Sequence, residues 1–468
     1  MADRKGRPQP NKEIMWKAVS AALALLLWQF CAMTIHSKIL LVSPIQTLIR
    51  LATIWLEPGF WQTVMSSLGH IALGYFLGAL LAIFLAVCAY RFMPAEKIFG
   101  PWMAVIRSVP VASFVIICLI WLSSSGLAVF IAFLMVVPIL YQNLLEGLKS
   151  LDQKKQELAD VYHFSHMEKG RYVILPQMEP FLMAGAKVSL GLAWKAGIAA
   201  EIIGTPAGSI GKMLYTAKIY LDTDDLMAWT VVTVLLSVLF EKLILLILKH
   251  GIRHAVETLP KRGNDSAVQQ TGKSDEKSDQ AEDSFGIKGL KMDFGRGELY
   301  HGIDRTWKKG GIHYIYGPSG SGKTTLLRIL CGLQTPDDGT VFGIKGRPIL
   351  LFQEDVLCED LSGLGNVMLI GHADRKAAET LLDELGLHEA LEQKVREYSG
   401  GMKRRCALAA ALLAPGEELF LDEPFRGLDE ANKQKAAAVI RKYQRGRSIL
   451  LVTHEGELSE DLPVEKNE

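Results

Sequence analysis

The sequence predicts two unlike parts in one chain: a helical, membrane-spanning first half and an α/β second half built on a largely parallel sheet. Three observations predict it. Before residue 250, charged residues are missing from long runs: Ala18 to Ile35, Ile71 to Ala89, and the 38 residues from Ser108 to Leu145. From Phe285 onward, short apolar runs alternate with helical patterns, the signature of strands joined by crossover helices. Between the halves lies 259–284, LPKRGNDSAVQQTGKSDEKSDQAEDS, which has almost no large apolar groups and reads as a flexible tether.

Composition agrees. The chain has 468 residues, with 51 Lys and Arg against 50 Asp and Glu, a net charge of +1. That balance argues against a nucleic-acid binder, which carries a basic excess. With 49% hydrophobic and 22% charged residues, disordered and collagen-like chains are excluded. The six cysteines are scattered and form no CxxC pair, so neither a disulfide framework nor a zinc site is indicated.

A bilayer core of about 30 Å needs about 20 apolar helical residues. The run from Ser108 to Leu145 is therefore two spans, broken at Ser123-Ser124-Ser125-Gly126. Six spans follow, near 15–36, 63–90, 103–122, 126–145, 179–204 and 226–248. A signal peptide is the alternative for the first, but no small-residue cleavage site supports it. Basic residues favour the inside. They populate the tail 1–14, the loop with Arg91 and Lys97, the loop with Lys149, Lys154, Lys155, Lys169 and Arg171, and the segment after span six. The loops 37–62 and 205–225 and the serine turn then lie outside, and everything after 250 is cytoplasmic.

In the second half, strands are expected at 312–316, 349–352, 419–421 and 449–452, and helices at 323–333, 375–385, 402–413 and 430–443. The first strand runs into Gly317-Pro318-Ser319-Gly320-Ser321-Gly322-Lys323-Thr324-Thr325, the pattern GxxxxGK[ST] in its strand–loop–helix setting. Glycines let the backbone N–H groups wrap a phosphate, and the helix N-terminus adds a favourable field. Lys323 offers a point charge to the β/γ-phosphates and Thr324 a hydroxyl to Mg²⁺. The strand Leu419-Phe420-Leu421 ends in Asp422 and Glu423. Asp422 suits the organisation of Mg²⁺, and Glu423 suits a general base that polarises the attacking water. An acidic strand end is common alone; joined to the loop, it points to nucleotide hydrolysis.

With these residues in place the second half resembles an ATP-binding-cassette ATPase. Tyr398-Ser399-Gly400-Gly401-Met402 is similar to the cassette signature LSGGQ. Gln353 in LLFQED matches the Q-loop, Gly427-Leu428-Asp429 the D-loop, and His454 in LLVTHE the switch histidine. The resemblance implies that Ser399, Gly400 and Gly401 cap the γ-phosphate held by an opposite subunit, so two such domains act face to face. It implies that Gln353 senses Mg²⁺ and the membrane domain, that His454 contacts the γ-phosphate, and that Phe294 stacks on adenine. Tyr398 departs from the usual leucine, Arg404 and Ala410 from the GGxxQR…ARAL continuation, and the domain is short.

The membrane half has its own resemblance. Glu157-Leu158-Ala159, followed by Ile174-Leu175-Pro176, is similar to the EAA loop of binding-protein-dependent importers, which forms the coupling helix that docks on the ATPase. His163 stands where that motif usually has glycine. Gly191-Leu192-Ala193-Trp194-Lys195 through Glu201, and then Tyr220 to Asp224, look like permeases for taurine, sulfonates, nitrate and thiamine precursors. The fold class implied is a membrane all-α six-helix permease domain of the importer (MetI-like) type at 15–258, with its coupling loop at 150–176. An α/β P-loop NTPase domain follows at 285–468.

Ionisable groups inside spans are costly and face a cavity or partner. His70, Lys187, Lys195 and Glu201 qualify, with Arg107 at a span start. Lys195 and Glu201 are six apart and share no helix face; a pathway role for one of them, or for Trp194, stands beside plain packing. The expected whole is an ATP-driven importer half in a bacterial cytoplasmic membrane. It uses ATP and Mg²⁺, pairs with a second copy or a related half-transporter, and takes a small anionic solute from a separate extracytoplasmic binding protein. An exporter half-transporter and a membrane-anchored regulatory ATPase are the alternatives. No nucleic-acid partner is expected.

Overall fold

In the computed structural model the described residues are 10–35, 40–259, 283–293, 298–318, 320–344 and 346–453. The chain divides into two compact units, one of 1–150 with 178–250 and one of 151–177 with 251–468. The boundary differs from a simple division at the tether, because the loop 151–177 belongs with the second unit.

The first unit is helical: α1 Pro10–Ile35, α2 Pro44–Ile54, α3 Phe60–Arg91, α4 Met93–Ser108, α5 Val111–Cys118 and α6 Ser124–Lys149. α2 begins at Ser43, whose side chain accepts from the Gln46 N–H, with Pro44 in the first turn. α6 is capped in the same way by Ser123, so the serine turn breaks the long apolar run as expected. The α3–α6 pair is close because α3 turns Gly74 and Gly78 toward its partner. A methyl at Gly74 would lie 2.3 Å from the Val129 carbonyl oxygen, and only small residues permit that approach.

The expected span at 103–122 is not one helix. α4 and α5 meet at a 97° bend. Pro110 forces it: Val109 before it is extended, the conformation that a following proline imposes. Among the described residues four helices are long and apolar enough to cross a membrane, or five if the bent pair counts as one. The expected span 179–204 is not among them. Its helix carries Lys187 and Lys195 and many small residues, and much of it is buried within the protein. The last helix is also longer than expected and continues through the basic segment after 248.

The second unit begins with α7 Gln153–Val161, the short turn α8 His166–Glu168 and a π-helical stretch Lys169–Ile174, which leads into α9 Leu175–Gly204; from residue 178 α9 belongs to the first unit. Pro176 explains the π stretch: it has no N–H to give the Tyr172 carbonyl, so the helical ladder is redrawn around it. α10 Ile210–Ile219 and α11 Thr223–Glu257, the latter up to residue 250, also belong to the first unit; most of the tether that follows lies outside the described residues.

The strands form two sheets. β1 Ser284–Asp293, β2 Glu298–Lys308 and β4 Asp338–Phe342 make an antiparallel sheet in the order β2-β1-β4. β3 Ile312–Ile315, β5 Ile349–Leu351, β6 Glu418–Asp422 and β7 Ser448–Val452 make a parallel sheet in the order β3-β7-β6-β5. β6 and β7 are buried on both faces, as parallel strands between helices must be. The connecting helices are α12 Lys323–Leu330, α13 Gly363–Ile370, α14 Arg375–Glu384, α15 Gly400–Leu413 and α16 Glu430–Tyr443. The parallel strands and α12, α14, α15 and α16 fall where the sequence places them. The antiparallel sheet and α13 are additions.

Candidate nucleotide site and coupling segment

The phosphate loop leaves β3 and enters α12. Gly322 is left-handed, φ +90, and a methyl there would lie 2.5 Å from the Tyr300 hydroxyl. Glycine therefore satisfies both conformation and space. Tyr300 donates to the Gly322 carbonyl at 2.6 Å, pinning the end of the loop; burial pushes its phenol up to about 12. Lys323 Nζ donates to the Gly317 carbonyl at 2.7 Å and the Pro318 carbonyl at 2.9 Å, so the loop curls around its own ammonium. A cavity of about 200 Å³ opens here, lined by Tyr300, Arg305, Tyr316, Gly317, Ser321 and Lys323 among others.

Asp422 closes β6 and is 1% exposed. Burial raises its pKa, opposed by a hydrogen bond from Thr324. Its Oδ1 is buried without a hydrogen-bond partner. A carboxylate oxygen left so, beside a threonine hydroxyl, fits a Mg²⁺ donor set. Glu423 follows with φ +49, a left-handed turn that costs a non-glycine residue about 1 kcal/mol or more. Its N–H donates to the Val452 carbonyl at 2.9 Å, and its Oε1 accepts from Gln353 Nε2 at 2.9 Å. The structure thus brings Gln353, from the end of β5, onto the carboxylate. A carboxylate aimed in this way can accept a proton from water.

Sequence reasoning missed what aims it. Arg404, noted only as a departure from a motif, is 1% exposed. Its guanidinium donates to the Glu423 carbonyl at 3.1 and 2.7 Å, to the Phe352 carbonyl at 2.7 Å, to Asp355 Oδ1 at 3.1 Å and to the Asp422 carbonyl. One side chain from α15 therefore holds the ends of β5 and β6. The available signal was a cation in a helix face that is otherwise alanine, leucine and cysteine.

Ser399 caps α15, accepting from the Met402 N–H at 3.3 Å, with Gly400 and Gly401 in the first turn. Gly401 sits close to the next turn: a methyl there would lie a tight 3.3 Å from the Gly427 carbonyl oxygen. Tyr398 is buried, and its hydroxyl donates to the Ala390 carbonyl at 2.6 Å, so the unusual tyrosine anchors the segment. Asp429 caps α16 through the Asn432 N–H at 2.9 Å. Gly320 is left-handed, and Thr325 lies in the first turn of α12. Phe294, Ser319 and His454 lie outside the described residues.

The coupling segment is built onto the same unit. Leu158, Val161 and Tyr162 share one buried cluster with the strands of both sheets. Glu157 accepts from Arg328 at 2.9 Å, Lys154 pairs with Glu354, and the Tyr162 hydroxyl donates to the Leu350 carbonyl at 3.0 Å. Ala159 is buried, and Pro176 lines a small cavity with Lys155, Tyr172 and Leu361. His163 has φ +52, which explains why glycine suits that position. The Phe164 N–H returns to the Ala159 carbonyl at 2.9 Å and closes the helix end.

In the membrane unit Trp194 is 2% exposed; its Nε1 donates to the Thr233 carbonyl at 3.1 Å. Glu201 is fully buried and accepts from Ser67 at 2.6 Å and the Gly211 N–H at 3.2 Å, with His70 at 3.4 Å. Lys195 is exposed. The structure therefore separates the three: two are built into packing and one faces outward.

Fold and site together define a nucleotide-binding domain of the P-loop type with the helical segment 151–177 packed on it. The family comparisons agree. Residues 300–426 match the ABC transporter family, and residues 74–254 match the binding-protein-dependent transport system inner membrane component. The chain is 34% identical over 191 residues to the daunorubicin resistance ATP-binding protein DrrA3 of Streptomyces coeruleorubidus, covering 37% of this chain and 60% of the relative. It is 40% identical over 162 residues to the taurine import ATP-binding protein TauB of Pseudomonas aeruginosa, covering 31% and 62%. It is 37% identical over 175 residues to the aliphatic sulfonates import ATP-binding protein SsuB 1 of Nocardia farcinica, covering 36% and 71%. Thus the chain spans about 60% of the length of the first two relatives. The chain belongs to the ABC transporter family, and it joins an ATP-binding domain to an importer-type membrane component in one polypeptide.

Proposed function

We propose that this protein is an ATP-driven importer half in a bacterial cytoplasmic membrane, with the N-terminus and ATPase domain on the cytoplasmic side. It works as a pair, most simply two copies, and takes a small anionic solute from an extracytoplasmic binding protein. The observation that carries this reading is the coupling segment: residues between two membrane helices are packed into the core of the ATP-binding domain through Leu158, Tyr162 and the Glu157–Arg328 pair. Similarity of the ATP-binding domain alone does not set direction, since its relatives carry both resistance and import names. The importer-type membrane component supports uptake, and the taurine and sulfonate relatives support a solute that bears an anionic sulfonate group. One chain supplies one permease and one ATPase, half of the usual set.

In this reading Glu423 takes the proton from the attacking water, and Gln353 fixes the carboxylate through their 2.9 Å hydrogen bond. Lys323 and the backbone N–H groups of the loop from Gly317 to Thr325, Pro318 excepted, hold the phosphates. Thr324 and Asp422, with Gln353, hold Mg²⁺, which supplies charge neutralisation to the phosphates. Ser399, Gly400, Gly401 and Asp429 serve the nucleotide of the opposite subunit, His454 contacts the γ-phosphate and Phe294 the adenine. Glu157, Ala159 and Pro176 belong to the segment that passes closure to the spans. Of the expected path residues, Lys195 keeps an exposed side chain, while Trp194 and Glu201 serve the helix packing.

The test is vectorial transport. Proteoliposomes with the ATPase domain outward are loaded with radiolabelled taurine and a taurine-binding protein, and then given Mg-ATP. Import predicts ATP-dependent loss of label from the lumen. Label retained despite ATP hydrolysis, or gained by the lumen, would sink the reading. Light scattering of the active species should give two copies; an active monomer contradicts the pairing.

A further inference from the structure

The polarity of α2 runs opposite to that of a helix packed on a soluble protein. At helical spacing Ile45, Leu48, Ile49 and Ala52 share one face, and all four are exposed. The opposite face carries Thr47 and Arg50. Thr47 is buried, and the Arg50 guanidinium is ion-paired with Glu57 at 2.5 Å and with Asp225 in the first turn of α11. A cation held inward and an apolar stripe held outward are stable together where the outer medium is apolar. Leu48 and Ile49 are 62% and 63% exposed, as Phe84 is at 62% on the apolar span α3.

The position of α2 and its polar atoms identify that medium. The Trp28 indole of α1 donates to the Val42 carbonyl, just ahead of α2, at 3.0 Å. Trp28 lies seven residues before the end of α1 at Ile35, about 10 Å back along the helix. α2 therefore starts below the end of that span, not beyond it. Its other end leads into α3 at Phe60, and Arg50 reaches the start of α11. One candidate span thus ends, and two begin, beside α2. The outward polar atoms are satisfied within the helix itself. The Thr53 hydroxyl donates to the Arg50 carbonyl at 2.9 Å, and the Trp55 indole to the Ala52 carbonyl at 2.8 Å. Polar groups that face lipid are satisfied in this way, because hydrocarbon offers no acceptor.

We propose that the apolar face of α2 is a lipid-binding surface: the helix lies in the membrane plane, at the boundary of headgroups and acyl chains. The Arg50–Asp225 pair ties it to the start of the last span. Trp55 and Trp61, both exposed, are the aromatic anchors of that boundary. The recognised chemistry is the acyl chain and not an anionic headgroup, because Arg50, the one charged residue in the α2 sequence, is turned away from the exposed face. The inference rests on the spans and not on the solute or the direction of transport, so either reading can fail without the other.

The experiment uses the full chain in phosphatidylcholine nanodiscs, with and without phosphatidylglycerol. Nitroxide labels enter through Ile45→Cys, Leu48→Cys and Ile49→Cys, one at a time, in a Cys31→Ser parent that removes the exposed native thiol. Residual labelling of the parent is subtracted. Power-saturation EPR compares collisions with oxygen, which partitions into lipid, and with a nickel chelate, which stays in water. All three labels should favour oxygen, as a Phe84→Cys control does, and read a depth of about 5–10 Å below the lipid phosphates. Adding phosphatidylglycerol should leave that depth unchanged. Collisions dominated by nickel put the face in water, and poor access of both reagents puts it under protein, such as a second copy; either result overturns the proposal. A depth reached only with phosphatidylglycerol overturns recognition through acyl chains. If a label at one site prevents folding, the other two positions decide by the same criteria.

Discussion

The ATP-binding unit and the membrane unit hold their polar groups in opposite ways. At the ends of β5 and β6, Arg404, Gln353, Asp422 and Glu423 converge from three elements, and Arg404 alone makes contacts to four residues. In the membrane unit Glu201 is satisfied by Ser67 and Gly211 as a packing device, while exposed Arg107 has one hydrogen-bond partner among the described residues, Gln142. Convergence lets the ATP-binding unit keep a strained backbone at Glu423, because the surroundings over-determine it. The membrane unit gets its precision from helix geometry and close-packed glycines.

The largest test of this contrast is in the convergent site. Glu423→Gln should lower ATP turnover by at least about a hundredfold, the usual range for a general base, and Lys323→Ala should do the same. Steady-state ATPase assays check both; activity near wild type would remove the residue from the site. Next is Arg404→Gln, which releases the carbonyls of Asp422 and Glu423. Turnover should fall about tenfold or more while the KM for ATP stays within about threefold, because the group positions Glu423 and does not bind phosphate. A change in KM alone, with turnover unchanged, would make Arg404 a nucleotide-binding residue and deny it the positioning role.

A smaller effect tests the coupling segment. Reversing one end of the Glu157–Arg328 pair, Glu157→Arg, should cut transport per ATP about fivefold, the worth of a partly exposed ion pair of about 1 kcal/mol. The double reversal with Arg328→Glu should restore it; no restoration would deny the pairing a role. The smallest effect is at His163. His163→Gly relieves a left-handed histidine worth about 1 kcal/mol. Burial lowers the His163 pKa, so the folded state refuses a proton that the unfolded chain accepts near pH 6.5. Stability from this residue is therefore complete above about pH 6.5 and falls as pH drops below it. Thermal melts at pH 7.5 and 5.5 should show a larger acid loss in wild type than in the variant; equal losses would contradict this.

Much of this was legible before the fold was described. The phosphate loop, the acidic strand end and the coupling motif are contiguous segments whose chemistry is carried by local order. The parallel strands are short apolar runs, and all four sit within a residue or two of expectation. The antiparallel sheet was not legible, because β1 and β2 interleave glycine and charge, as in Gly286, Lys288 and Gly289, and break both periodicities. The 97° bend was missed because hydropathy averages over Pro110. Arg404 was missed because its value lies in four distant partners.

The sequence by itself determined the order of the parts, the strand–loop–helix setting of the phosphate loop and the acidic end of β6, since each depends on neighbours along the chain. Only the tertiary structure decided that 151–177 belongs to the ATP-binding unit, that Arg404 braces Glu423, and that Glu201 is a packing group. Those facts depend on which distant side chains meet, and burial and hydrogen bonding across such meetings are not encoded in any single segment.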